Sequence, residues 1–218
     1  DPELQAMWQE KTARRQKVAE RRAAMAQCEQ RFSKSVGSVK SLLKGLYARP
    51  QESVSQAKAL VSDMVDSLLT EKEVVIHLMS SKVGDENAYY HALNVTVLSL
   101  LLAKEAGLTA DEMRALGLGC LLHDIGKDRV PSQILLKRTP WTPAEYNFYQ
   151  QHVVYGVEAV QRLPNITPGA MEVIAFHHEM MDGSGYPGRL TGERIGRLAR
   201  IAAIVNTSDN HCNRVNPA

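Results

Sequence analysis

His177-His178-Glu179-Met180-Met181-Asp182-Gly183-Ser184-Gly185-Tyr186-Pro187-Gly188 closes an apolar helical run that opens at Thr167-Pro168. Two adjacent histidines at a helix end are unusual, and a glycine-rich loop directly after them is more so. Its glycines accept backbone angles that other residues resist, while Pro187 stiffens the chain beside Tyr186. Upstream lies His123-Asp124-Ile125-Gly126-Lys127, with single histidines at His91 and His152. Neutral imidazole together with carboxylate is the ligand set of a transition-metal site in a hydrolase. A single buried histidine is most often a satisfied core residue. Five placed in this way, with His123 next to Asp124 and His177 next to His178, exceed what packing requires.

The segments around these residues read as helices. Val54, Ala57, Leu60, Val61, Met64, Val65, Leu68 and Leu69 recur at i, i+3, i+4, i+7 spacing. Lys72–Lys82 continues as helix to Gly84, and Asn87–Ala106 forms another, closed by Gly107. Thr109 with Glu112 is a capping box that opens a helix ending near Gly126. Pro131–Leu136 reads as a short helical turn. Thr142-Pro143-Ala144-Glu145 is a second capping box and opens a helix to about Leu163. Ile195–Asp209 is the last helix. No alternating strand run and no internal repeat occurs. The expected class is all-α, a compact multi-helix bundle.

Residues 1–50 read as a helical N-terminal extension or linker to a domain at 51–218. Residues 3–31 favour helix, but Leu4, Met7, Val18 and Met25 are sparse apolar positions. That pattern fits a solvated helix, or a connector able to support a homodimer.

Each candidate ligand falls on a different helix or at a helix end, as in metal sites built inside bundles. His91 shares a face with Val95, Leu98 and Leu102 and points inward. Gly156, one turn after His152, leaves room for a metal or substrate. Asp124 is the natural bridging carboxylate for two ions, which would activate a shared water and clamp a phosphate. Lys127 can neutralise charge on a phosphoryl oxygen.

Together, His91, His123-Asp124-Ile125-Gly126-Lys127, His152, His177-His178-Glu179 and Asp182-Gly183-Ser184-Gly185-Tyr186-Pro187 resemble the HD-GYP family. This is a bacterial branch of the HD phosphohydrolases, and the likeness runs from about Asn87 to Asp209. The resemblance implies an HD-type helical bundle and a metal-dependent phosphodiesterase. Its substrate would be cyclic di-GMP, cut to pGpG or GMP by a metal-bridging hydroxide. It implies His91, His123, Asp124, His152, His177, His178 and Asn206 as metal ligands, and Asp124 and Lys127 as catalytic residues. Lys127, Gly185 and Tyr186 would contact substrate. The cofactor would be two divalent ions, iron or manganese. Diguanylate cyclase domains would be partners through the loop at Tyr186.

Three departures matter. Asn206 stands where the family has an aspartate ligand, with Asp209 three residues on. Asn87 stands where three-metal members carry glutamate, which favours two ions. The family's segment after the last aspartate is not recognisable in Asn210–Ala218, so the domain reads as C-terminally incomplete. The alternative is a catalytically weak module that serves as a nucleotide sensor or protein scaffold.

Composition bounds the rest. The chain has 218 residues, 44% of them hydrophobic and only 6% aromatic, so aliphatic side chains must fill the core. A net charge of +2 is too mild to argue for DNA or RNA. Cys28, Cys120 and Cys212 form no disulfide pattern, and no apolar stretch is long enough to span a bilayer. A bacterial cytoplasmic location is expected.

Overall fold

The computed structural model describes residues 2–70, 87–163 and 165–212. Among them the chain forms α1 (Pro2–Gly45), α2 (Pro50–Thr70), α3 (Asn87–Glu105), α4 (Ala110–Leu122) and α5 (Ser132–Leu135). Then follow α6 (Pro143–Gln150), α7 (His152–Val160), α8 (Pro168–Phe176) and α9 (Arg197–Cys212). No described residue lies in a β-strand, and the fold is the all-α bundle expected. No helix among the described residues is long and apolar enough to cross a membrane. The helix expected over Lys72–Lys82 lies outside the described residues.

Local chemistry sets the helix starts. Thr109 Oγ1 accepts from Glu112 N at 3.3 Å, and the Glu112 carboxylate accepts from Thr109 N at 2.8 Å. Thr142 and Glu145 repeat this box, with Pro143 at the first helical position, where its missing N–H costs nothing. Thr167 caps α8, again with proline next. Beyond α3, Gly107 takes φ 71°, a conformation that glycine adopts without strain.

α4 lies at the centre, packed on α2, α3, α8 and α9. Val61 and Val65 of α2, Leu93 and Leu100 of α3, and Leu116 and Leu121 of α4 are buried together with Val173 and Ile174 of α8. Each such side chain contributes about 1.5–3 kcal/mol by leaving water. This packing brings the ends of α4 and α8, which carry the histidines, to one side of the bundle.

Several elements differ from the sequence reading. α1 does not stop near residue 31 but runs to Gly45, and Phe32, Val36, Val39 and Leu42 lie in the common core. Its first two turns are exposed, with Leu4, Met7 and Trp8 all open to solvent. α4 ends at Leu122, and residues Ile125–Arg129 form a 3-10 turn instead of further α-helix. The helix expected from Thr142 to Leu163 is broken at Gln151, whose N–H bonds back only three residues, to Phe148 O. α9 starts at Arg197, after a 3-10 turn at Gly192–Arg194, and passes Asp209 to reach Cys212. His91 points inward with Val95, but Leu102 on the same face is 38% exposed.

The turn after Asp124 packs closely against α7. A Cβ at Gly126 would lie 1.9 Å from His152 O and 2.4 Å from Gly156 N. The backbone after Asp124 therefore presses directly on the first turn of α7. A Cβ at Gly156 would meet Ile174 Cγ2 at 3.4 Å, Gly126 N at 3.6 Å and His123 O at 3.7 Å, all ordinary contact distances.

Candidate metal centre

Four elements deliver the histidines. His91 comes from the first turn of α3, His123 from the C-cap of α4, and His152 from the start of α7. His177 and His178 follow the end of α8. His123, His152 and His177 are almost wholly buried, and His91 retains 12% side-chain exposure.

The imidazoles are oriented by their Nδ1 atoms. His123 Nδ1 lies 2.7 Å from Cys120 O, His152 Nδ1 2.6 Å from Tyr149 O, and His177 Nδ1 3.0 Å from Ile174 O. A carbonyl only accepts, so each Nδ1 donates, and in the neutral imidazole Nε2 then carries the lone pair. His91 Nδ1 faces Asp209 Oδ2 at 2.7 Å, and Asp209 Oδ1 accepts from Asn94 Nδ2 at 3.2 Å. A ring N–H held by a carbonyl or carboxylate is the usual arrangement behind a metal-ligating histidine.

The free Nε2 atoms converge in two groups on one carboxylate. His123 and His91 bring their Nε2 atoms to 3.3 Å, lying 3.3 and 3.6 Å from Asp124 Oδ2. His152 and His177 bring theirs to 3.4 Å, lying 3.5 and 3.9 Å from Asp124 Oδ1. His178 joins the second group. Lone pairs facing one another with no proton between them repel, and a cation removes that repulsion. Asp124 Oδ1 and His178 Nε2 are also buried without a hydrogen-bond partner among the described residues. The donor set therefore fits metal, with Asp124 able to serve two ions.

Electrostatics hold these groups in the protonation states that ligation needs. Burial pushes His152 down to about 4, against the pull of Asp124. Burial, with repulsion from neighbouring histidines, holds His177 and His178 well below the ordinary value. Burial also lowers His91, although Asp209 and Asp124 oppose it. For Asp124, burial favours the neutral acid, but His123 and Lys127 outweigh it and hold the carboxyl well below its usual range. Burial acts against the Lys127 ammonium, yet Asp124 and Tyr149 more than offset this and raise it. Lys127 Nζ donates to Asp124 Oδ2 at 2.5 Å.

The loop after α8 closes over this cluster. Tyr186 N donates to His178 O at 3.1 Å, and the Tyr186 ring stacks on His178 at 4.5 Å with 17° between planes. Glu179 is buried, and its two carboxylate oxygens accept from Gly188 N at 2.5 Å and Leu190 N at 2.8 Å. Gly185 is packed against backbone, and a Cβ there would lie 2.4 Å from Met180 N.

Of the residues singled out in the sequence, the five histidines, Asp124, Lys127 and Tyr186 come together. Asn206 is buried on α9, where its Oδ1 accepts from Asn210 Nδ2 at 3.0 Å. Sequence reasoning assigned no task to Glu179 or Tyr149 and left open whether Asn206 or Asp209 ligates metal. A carboxylate directly after a histidine pair was the available signal for Glu179. The family resemblance marked Asp209 as the second aspartate position, but not its partner His91, 118 residues away.

The sequence profile of the HD domain family matches residues 48–217. The chain belongs to the HD domain family. Its loop from His177 to Pro187 assigns this HD domain to the HD-GYP branch. It is 34% identical over 166 residues to a cyclic di-GMP phosphodiesterase of Pseudomonas aeruginosa, covering 74% of this chain and 40% of that protein. It is 36% identical over 148 residues to the 3'3'-cGAMP-specific phosphodiesterase 2 of Vibrio cholerae, covering 67% of this chain and 28% of that protein. The HD domain thus spans less than half the length of these two relatives. A solved HDG"Y"P protein from Bdellovibrio bacteriovorus shares the fold, with a TM-score of 0.71 at 23% identity. The match covers 86% of this chain and 62% of that one.

Proposed function

We propose that the protein is a metal-dependent phosphodiesterase that hydrolyses cyclic di-GMP to pGpG or GMP. The observation that carries this reading is Asp124, whose two carboxylate oxygens face two groups of converging imidazoles. We assign His91 and His123 to one ion and His152, His177 and His178 to the other. Asp124 is shared between them, with Asn206 completing the set. Two bound divalent ions, iron or manganese, would supply Lewis acidity and a nucleophilic water at neutral pH. His91, His123, His152 and His177 turn Nε2 inward because Asp209 and carbonyls occupy their other ring nitrogen. Lys127 keeps its positive charge beside Asp124, where it can meet charge developing on the phosphoryl oxygens. Tyr186 and Gly185 close one wall, and Glu179 keeps that wall in place. Hydrolysis breaks a P–O3' bond, and the freed 3'-oxygen takes up the proton that water loses.

The substrate is assigned as cyclic di-GMP, the nucleotide named for the Pseudomonas relative, and the 3'3'-cGAMP of the Vibrio relative is the competing cyclic dinucleotide. The loop rim at Ser184, Pro187 and Arg189 is exposed, which supports docking of a diguanylate cyclase domain; binding of the two purified proteins checks it. The exposed start of α1 supports a homodimer, which light scattering reads directly. A cytoplasmic messenger as substrate implies a cytoplasmic place of action.

One observation favours a second reading, a nucleotide sensor with weak turnover. Position 206 is a neutral amide already bonded to Asn210. The test is elemental analysis of anaerobically purified protein, followed by incubation with cyclic di-GMP and with 3'3'-cGAMP in Mn2+ or Fe2+. About two ions per chain and linear product from cyclic di-GMP are expected. Product from 3'3'-cGAMP alone would overturn the substrate assignment. Metal and nucleotide binding without product would establish the sensor.

A further inference from the structure

An aromatic wall extends from the metal centre to the surface, and the reaction as described does not use its outer part. Two rows of rings run outward. In one, His152 is followed by Tyr149 at 4.7 Å and then Trp141 at 4.5 Å between ring centroids. In the other, His178 is followed by Tyr186 at 4.5 Å and then Tyr146 at 6.4 Å. The outer rings, Trp141 and Tyr146, lie 6.2 Å apart with 29° between their planes. Aromatics make up only 6% of this chain, so six aromatic rings in contact at one place, counting the two histidines, are a concentration.

The outer pair is rigid, and its Tyr146 ring is open while Trp141 is half-buried. Tyr146 is 43% exposed. Trp141 Nε1 donates to Ile134 O at 2.9 Å, which fixes the indole. Tyr146 sits in the first turn of α6, which the Thr142–Glu145 box locks, and Glu145 accepts from Lys137 Nζ at 2.6 Å. Exposed aromatic faces are costly to leave in water and to hold still unless something covers them. A nucleotide whose phosphate lies at Asp124 and Lys127 carries its base one ribose away, and Tyr149, an inner ring of these rows, lies 5.4 Å from Lys127 Nζ. Ring faces bind bases by stacking, regardless of hydrogen-bond pattern.

We infer that Trp141 and Tyr146 form a nucleobase-stacking subsite that takes one base of the substrate while its phosphate occupies the metal centre. This rests on the phosphodiesterase reading for the substrate but not for its test. Tyr146 acts through its ring face and not its hydroxyl, so phenylalanine preserves the subsite and alanine removes it.

The experiment is calorimetric titration of the metal-loaded protein with GMP and with ribose 5-phosphate, which carries the same phosphate and no base. GMP is expected to bind about tenfold or more tightly than ribose 5-phosphate. That advantage is expected to fall to about one in Tyr146→Ala and to persist in Tyr146→Phe, with metal content unchanged in both. Equal binding of the two compounds by the unaltered protein would overturn the subsite, as would a GMP advantage that survives Tyr146→Ala. Because no turnover is required, a base preference in a protein that hydrolyses nothing would retain the subsite and reject the phosphodiesterase. Turnover with no base preference would do the reverse.

Discussion

The two halves of the metal centre are built by different means. On the α7–α8 side, His152 and His177 are aimed by carbonyls three residues upstream on their own chain, Tyr149 O and Ile174 O. On the α3–α4 side, His123 follows the same rule through Cys120 O, but His91 is aimed by Asp209 from the far end of α9. One half is organised almost wholly by local helix-end geometry. The other depends on α3 and α9 staying packed, and it borrows a negative charge from beyond its own segment. The halves share Asp124, one oxygen to each, and touch where the His123 and His177 rings lie 4.8 Å apart.

Removing the meeting point has the largest expected effect. Asp124→Ala takes one ligand from both groups and leaves Lys127 without its counter-charge. Metal content near zero and turnover below detection are expected, read by elemental analysis and nucleotide chromatography. One ion retained at full occupancy would show that the halves do not share this carboxylate.

A smaller effect, on folding, is expected where the 3-10 turn after Asp124 meets the local half. Gly126→Ala forces a Cβ against the His152 carbonyl and Gly156 N, and backbone cannot move aside as a side-chain tip can. A destabilisation of about 3 kcal/mol or more is expected, at the upper end for overpacking, measured by denaturant unfolding of the metal-free protein. An unchanged midpoint would mean that α7 is free to shift.

The smallest effect sharpens the contrast. Asp209→Asn keeps the shape but removes the charge that aims His91 and raises its basicity. Loss of such a partner costs about 10–100-fold in metal affinity. The loss is expected for one ion only, leaving about one tight equivalent in a chelator competition. Equal weakening of both ions would show that Asp209 supports the centre as a whole.

Much of this was legible in the residues themselves. The threonine–glutamate boxes at Thr109 and Thr142 and the proline at position 168 mark helix starts through bonds that reach only three residues. The histidine–carboxylate composition names the chemistry, because few other tasks need bare imidazole lone pairs beside a carboxylate. The family is carried by one continuous loop, from His177 to Pro187. All of these are short-range patterns, set by bonds and spacings inside a single turn.

Packing decided the remainder. That Asp124 presents one oxygen to each group, that Asp209 reaches His91 across 118 residues, and that the Gly126 backbone packs on the His152 carbonyl all depend on how α3, α4, α7, α8 and α9 are set against one another. The break at Gln151 belongs here as well. Its sequence carries no helix stop, and the turn tightens where the backbone after Asp124 meets α7. Hydrogen bonds within a turn are short-range and readable in order along the chain. The direction in which a buried side chain meets another helix is fixed only when the whole apolar core closes.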